Sequence, residues 1–372
     1  MNTLWLDTET FSEVPIKYGT YKYAENCEVD ILSFAVGDEP VTVLDVANGD
    51  DLEPFKAALK QCDAYIAHNA MFDRSALCLG NLKIATPIEK WRCSMVRAMA
   101  HGLPGGLDVL GGIVGIDLDK RKMKEGKDLM RLFCKPLPKN SKLRRATKVT
   151  HPEQWAKYLE YAQMDVVAMR AICAKLPSWN YTFDPPGQGR PRDLELAHWH
   201  RDQAINDRGF NVDTELVDAA LRAVDKEQAR LKLETRDVTG YDAEEGVGLG
   251  STSQRDATLL FLLNEHGVML PDLKMATVER RLNDPDLDEG VKELLRIRLQ
   301  VSSTSTSKYK ALKNGVTRNG RLGGTIQFDG ASRTRRAAGR TFQPQNITRG
   351  TLPPELIEAW VTILKCGAED LV

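Results

Sequence analysis

Two carboxylates, Asp7 and Glu9, follow directly on the apolar run Leu4-Trp5-Leu6. Residues two apart on a strand leave the same face, so both acids emerge together at the end of a strand that has the character of a buried one. Like charges in such a place are costly unless something neutralises them, and a chain that starts this way must fold so as to bring that compensation to its first strand. The tripeptide D-x-E is weak evidence by itself. It recurs from Asp51, Asp193, Asp213, Asp225 and Asp242, where a solvated helix or loop charge is the simpler reading. Position after an apolar strand is what sets Asp7 apart.

Further apolar, β-rich runs follow at 31–36, 41–44 and 64–67, the last after a helical stretch at 52–61. Strands come first and helices increasingly afterwards, which predicts a mixed sheet flanked by helices. A long helix is signposted by Thr150, Pro152 and Glu153 as cap, first-turn proline and capping-box acid, and is expected to run to about Lys175. The stretch 177–192, rich in Pro and Gly, reads as a linker and places a boundary near 185. Beyond it, helical periodicity covers 193–235 on both sides of Asn206–Gly209, then 252–266 and 289–313. Asn319-Gly320 between Val316-Thr317 and Leu322–Phe328 predicts a hairpin, and 355–365 reads as a final amphipathic helix.

The chain has 372 residues, with 51 Lys and Arg against 52 Asp and Glu. Any polyanion must therefore be held by local charge segregation, because the net charge of -1 supplies no overall positive field. No run reaches the length of a membrane span and the start lacks a signal peptide, which predicts a cytosolic protein without a membrane partner. Seven scattered cysteines without a CxxC pair suggest reduced thiols.

Two more acids stand in suggestive settings. Asp73 comes one turn into a helix expected after the strand 64–67 and the pair His68-Asn69; alone, this is an Asn-capped helix with a surface Asp. Asp165 lies four residues after Tyr161, on the same face of the long helix. Of the nine tyrosines only Tyr161 has that neighbour, although a core tyrosine beside an exposed acid would look the same.

Taken in order, D-x-E on the first strand, N-x3-D at a strand-to-helix junction and Y-x3-D on a late helix resemble the DEDD superfamily of 3'-to-5' exonucleases, in its tyrosine subtype. The resemblance covers roughly the first 180 residues. It implies a ribonuclease-H-like α/β fold with Asp7, Glu9, Asp73 and Asp165 as catalytic metal ligands. It also implies two Mg2+ or Mn2+ ions, Tyr161 orienting the attacking water with Glu9, and Asn69 holding the terminal nucleotide or organising the site. Independently, converging carboxylates repel each other by about 4 kcal/mol per pair at 4 Å and an effective dielectric near 20, which divalent cations relieve. Oxygen ligands favour Mg2+ or Mn2+.

Twelve Lys and Arg residues between 120 and 148 face only Glu125 and Asp128. Such a run is either a solvated face or a track for phosphates. Farther on, the segment Gln327–Ile347 is similar to the thumb-to-palm junction of family A DNA polymerases, which carries T-G-R and then Q-N-[IL]. Here Thr334-Arg335-Arg336 has Arg335 in place of the glycine, and Gln345-Asn346-Ile347 completes the pair. The stretches Ser251–Gln254 and Ser303–Tyr309 resemble the thumb of the phage-type members. No acid lies between Asp329 and Glu355, so Arg333, Arg336, Arg340, Gln345 and Asn346 are candidates for contacts to a duplex backbone and minor groove, with Arg335 and Arg349 in the same basic loop.

The family's palm and fingers motifs, D-Y-S-x-x-E-x-R, R-x3-K-x6-Y-G and H-D-E, do not occur, so polymerisation by this polypeptide alone is not expected. The expected division is an exonuclease domain at 1–185, a mostly helical thumb-like domain at 186–315 and an incomplete α+β palm fragment at 316–372. Expected partners are a single-stranded DNA 3' end, a primer-template duplex and, in a split enzyme, a second chain carrying palm and fingers; exposed Leu356, Ile357, Trp360, Ile363 and Leu364 would favour such a chain. The alternatives are an RNA-processing exonuclease of the same superfamily and a non-catalytic primer-template-binding subunit.

Overall fold

The computed structural model describes residues 2–116, 126–177, 194–240, 252–301, 306–331, 333–346 and 350–367. They pack as two compact units, residues 1–212 with 314–348, and 213–313 with 349–372. These units group the three expected segments differently. The stretch from Leu194 to Val212 and the stretch 314–348 both pack with the first unit, whereas 178–193, which takes in the linker expected at 177–192 apart from Pro177, lies outside the described residues.

In the first unit the elements run β1 (Thr3–Ser12), α1 (Thr20–Ala24), β2 (Cys27–Val36), β3 (Thr42–Asp45), α2 (Glu53–Gln61), β4 (Ala64–Ala67), α3 (Ala70–Leu79), β5 (Trp91–Cys93), α4 (Ser94–Ala100), α5 (Leu107–Ile113), α6 (Gly126–Phe133), α7 (Pro152–Lys175), α8 (Leu194–Arg208) and β6 (Phe210–Asn211). The second unit holds α9 (Thr214–Thr239), α10 (Thr252–His266), α11 (Met275–Leu282), α12 (Glu289–Val301) and most of α13 (Ser307–Gly315). The chain then returns to the first unit for β7 (Arg321–Leu322), β8 (Ile326–Ala331) and β9 (Arg336–Gly339), and ends in the second with α14 (Pro354–Lys365). No described helix is long and apolar enough to cross a membrane.

The main sheet has the order β3-β2-β1-β4-β5, with β1 antiparallel to β2 and parallel to β4. Its two faces follow the two-residue period of β1. Leu4 and Leu6 enter a core with Leu32, Phe34, Phe55 and Leu77 on the side of α2 and α3. Trp5 turns the other way, to Val166, Met169 and Ile172 of α7, while Ile31 meets Trp155, Tyr158 and Tyr161 of the same helix. The expected mixed sheet flanked by helices is therefore present. In the second unit, α10, α11 and α12 close a small core around Leu262, Val278, Val291 and Leu295.

Several local expectations change. The helix at 152 begins without the capping box: His151 is the N-cap and no side chain bonds the first turn. Thr150 Oγ1 instead accepts from Thr147 N at 2.9 Å. Asn319-Gly320 does make a tight turn, with Gly320 N donating to Thr317 O at 3.0 Å. Thr317 N also donates to Arg321 O at 2.9 Å, which closes the hairpin turn, but the ladder of the strand that follows is formed with Phe210–Asn211. Gly209 permits this ladder: its φ is +56°, and a Cβ there would lie 2.5 Å from the Leu322 carbonyl. The stretch 289–313 divides into α12 and α13. No residue of α14 is buried, and Leu356 and Ile357 are exposed.

Candidate active site

Asp7 and Glu9 leave the face of β1 that α7 covers, opposite Ser33 and Ile31 of β2. The ladder shifts register between Glu9 and Thr10, an irregularity of the kind that re-aims side chains beside functional sites. Asp165 sits on the buried stripe of α7 formed by Tyr158, Tyr161, Ala162, Val166 and Met169. Oxygens from Asp7, Glu9 and Asp165 all come within 4.8 Å of one another. Acids far apart in the chain thus meet in one place.

Asp73 joins them from α3. It is buried rather than on the surface, and its Oδ1 accepts from Thr8 N at 3.0 Å and Thr8 Oγ1 at 2.8 Å. Burial, then the charge of Asp7, hold its carboxyl well above the ordinary aspartate range, with the Thr8 donors opposing. Asn69 starts this helix in the left-handed conformation, at φ 65° and ψ 48°, without a side-chain cap bond. Asp7, Glu9, Asn69, Asp73 and Asp165 all line one cleft of about 970 Å³.

A phenol that the sequence reading did not single out reaches a site carboxylate. Tyr158 Oη donates to Glu9 Oε2 at 3.1 Å, and Cys134 Sγ lies 3.1 Å from the same hydroxyl. Burial and the adjacent Glu9 push the Tyr158 hydroxyl well above its usual range, so it remains a donor. The Tyr161 ring is fully buried and its Oη points to Met130 Sδ at 3.5 Å. Tyr161 also supports α6: a Cβ on Gly126 would fall 2.1 Å from the Tyr161 ring. Sequence reading missed Tyr158, although its place on the apolar stripe two turns before Asp165 marks it.

The basic run divides. Arg144 pairs with Glu13, Arg145 with Glu28 and Asp30, and Lys148 with Asp45 at 3.1 Å. Lys127, Arg131 and Lys135 instead line the acid-floored cleft. Lys120, Arg121, Lys122 and Lys124 lie outside the described residues. All seven cysteines are free thiols, and burial pushes Cys27 up to about 12 and Cys173 to about 11.

In the second basic segment, Arg333, Arg336, Arg340, Gln345 and Asn346 are exposed. Arg335 differs. At the position of the resemblance's glycine it adopts a left-handed φ of 55°, and its guanidinium donates to Asp329 at 2.8 Å and Glu195 at 3.2 Å. The turn a glycine would make freely is thus kept, with an ion pair to offset the strain. Ile347 and Arg349 lie outside the described residues.

No protein-family model matches the chain. It is 35% identical to the DNA polymerase of Bacillus phage SP02, in an alignment that takes in the whole chain and 55% of that protein. Among solved structures it is similar to the POL domain of Pol1 from M. smegmatis, in complex with DNA primer-template and dNTP. The TM-score is 0.55 at 12% identity, covering 94% of this chain and 53% of that one. The chain is thus a relative of a phage-type DNA polymerase along its whole length, has a fold similar to a polymerase domain, and spans about half the length of the relatives it matches.

Proposed function

We propose that this chain is the 3'-to-5' proofreading exonuclease and DNA-binding portion of a family A DNA polymerase. In this reading, residues 1–185 form a nuclease part of ribonuclease-H-like fold, 186–315 a thumb-like part and 316–372 the start of a palm. One observation carries it: Asp7, Glu9 and Asp165 bring oxygens within 4.8 Å of one another, and Asp73 shares their cleft. A hard, all-oxygen donor set suits Mg2+ or Mn2+, and these four carboxylates would hold two such ions. Bound there, the pair supplies an activated water and charge relief for the departing 3' oxygen.

The chain's own residues do the rest. Thr8 fixes the Asp73 carboxyl with two donors. Tyr158 holds one oxygen of Glu9 and so sets how that carboxylate faces the cleft. Asn69, on the wall of the cleft, holds the terminal nucleotide. Arg333, Arg336, Arg340, Gln345 and Asn346 contact the backbone of a primer-template duplex, where exposed guanidinium and amide groups suit phosphate oxygens.

The test is shortening of 5'-labelled single-stranded DNA with Mg2+. The wild-type chain is expected to yield a ladder of shorter products, and Asp7→Ala none. Undiminished digestion by the purified variant overturns the assignment, and faster digestion of RNA than of DNA overturns the substrate.

A further inference from the structure

The cleft has a floor of carboxylates and a wall of cations, and the two are mechanically joined. Lys127 and Arg131 lie on α6, with Lys135 two residues beyond its end, and all three line the cleft. A spacing of four residues puts Lys127 and Arg131 on one helix face, about 6 Å apart along the axis at 1.5 Å per residue, and Lys135 continues the run past the helix end. That step is comparable to the repeat of phosphates on an extended single strand. The opposite side of α6 is buried: Leu129 and Phe133 pack with Trp155 and Tyr158 of α7, and Gly126 abuts the Tyr161 ring. The helix that carries Asp165 therefore also fixes the cationic face.

Within the same basic run, Arg144, Arg145 and Lys148 engage Glu13, Asp30 and Asp45, which fastens their segment to β1, β2 and β3. Among the described residues, the acid that Arg131 meets is a weak competitor, the exposed Asp128 at 3.1 Å, with the arginine's own side chain 72% exposed. A carboxylate floor repels a polyanion, so a strand entering this cleft needs positive charge close to the acids but not upon them.

We propose that Lys127, Arg131 and Lys135 form a rail that binds successive phosphates of a single-stranded DNA segment as its 3' end reaches the acid cluster. This rests on the nuclease reading and specifies how its polymeric substrate is held.

Anisotropy of a 5'-labelled ten-nucleotide oligothymidylate, titrated with the full chain in EDTA over a salt series, tests the rail without hydrolysis. Each phosphate contact on a single strand contributes about 0.7 to the slope of log affinity against log salt, so the triple variant Lys127→Glu, Arg131→Glu, Lys135→Glu should lose about 2 from that slope. Its affinity at low salt should fall at least tenfold. Single changes to Gln should each remove about 0.7, and the matched reversal of Lys56 and Lys60 on α2 should leave the slope as it is. An unaltered slope in a triple variant that keeps the wild-type circular dichroism overturns the rail. Digestion of DNA together with an unaltered slope sinks the rail alone, whereas a lost slope in a chain that never digests DNA sinks the nuclease reading and leaves the rail standing.

Discussion

Two groups of acids are buried to the same depth in the first unit and differ in the partners that hold them. Asp30, Asp45 and Asp329 are 1%, 6% and 6% exposed; Glu9, Asp73 and Asp165 are 6%, 2% and 4% exposed. Burial depth therefore does not separate them. In the first group each acid has a fixed cation. Arg145 reaches Asp30 while lying 3.9 Å above the Phe11 ring, Lys148 reaches Asp45, and Arg335 reaches Asp329 at 2.8 Å. In the second, the donors to Glu9 include the Tyr158 phenol and the Cys134 thiol, those to Asp73 are the hydroxyl and backbone amide of Thr8, and Asp73 is crowded by Asp7. A carboxylate tied to a side-chain cation acts as a fastener, here joining segments 145–148 and 335 to the first unit. Asp73, held by the hydroxyl and amide of Thr8 beside Asp7, is oriented by neutral donors, which suits a carboxylate that would hold a divalent ion.

The contrast can be broken from either side. The largest effect is expected at Arg145→Ala, which leaves Asp30 buried beside no guanidinium and should cost about 3 kcal/mol in denaturant unfolding. Adding Asp30→Asn should restore much of that loss, and a double variant no more stable than the single would show that Arg145 acts through packing on Phe11.

Tyr158→Phe comes next. Removing a group that orients a ligand carboxylate typically costs 10–100-fold in metal affinity or activity, so the Mg2+ dependence of DNA digestion should move by about tenfold while the melting temperature changes little. Coincident Mg2+ curves would deny Tyr158 its part. The smallest effect belongs to Arg335→Gly: relief of about 1 kcal/mol of left-handed strain against about 1–3 kcal/mol for an acid left without its partner. A net loss near 1 kcal/mol is expected, and a gain in stability would show that the Asp329 pair contributes less than the turn costs.

Much of this was legible before any coordinates. Asp7 and Glu9 share a face because a strand alternates with period two, and Asp165 belongs to the covered side of α7 because its neighbours repeat with the helical period. The division of the basic run was not legible, since Arg145 and Lys127 look alike in sequence and differ only in which acids the fold brings to them. Nor was the contact of Tyr158, three residues before Tyr161 on one helix. Both are buried, and only the packing of α7 against β1 brings the Tyr158 hydroxyl to Glu9. The hairpin at Asn319 was legible only as far as its turn, which Thr317 and Arg321 close locally, because the ladder partner of Arg321–Leu322 comes from more than a hundred residues earlier.

What the amino-acid order determined alone is directional: which side chains share a face, where the strand-rich and helix-rich stretches lie, and that two carboxylates leave the first strand together. The tertiary structure decided which faces meet. Periodicity acts over a few residues and sets the direction of a side chain, whereas the meeting of positions 7, 73 and 165 depends on closing long loops, a cost recovered only when the whole sheet and its covering helices pack at once.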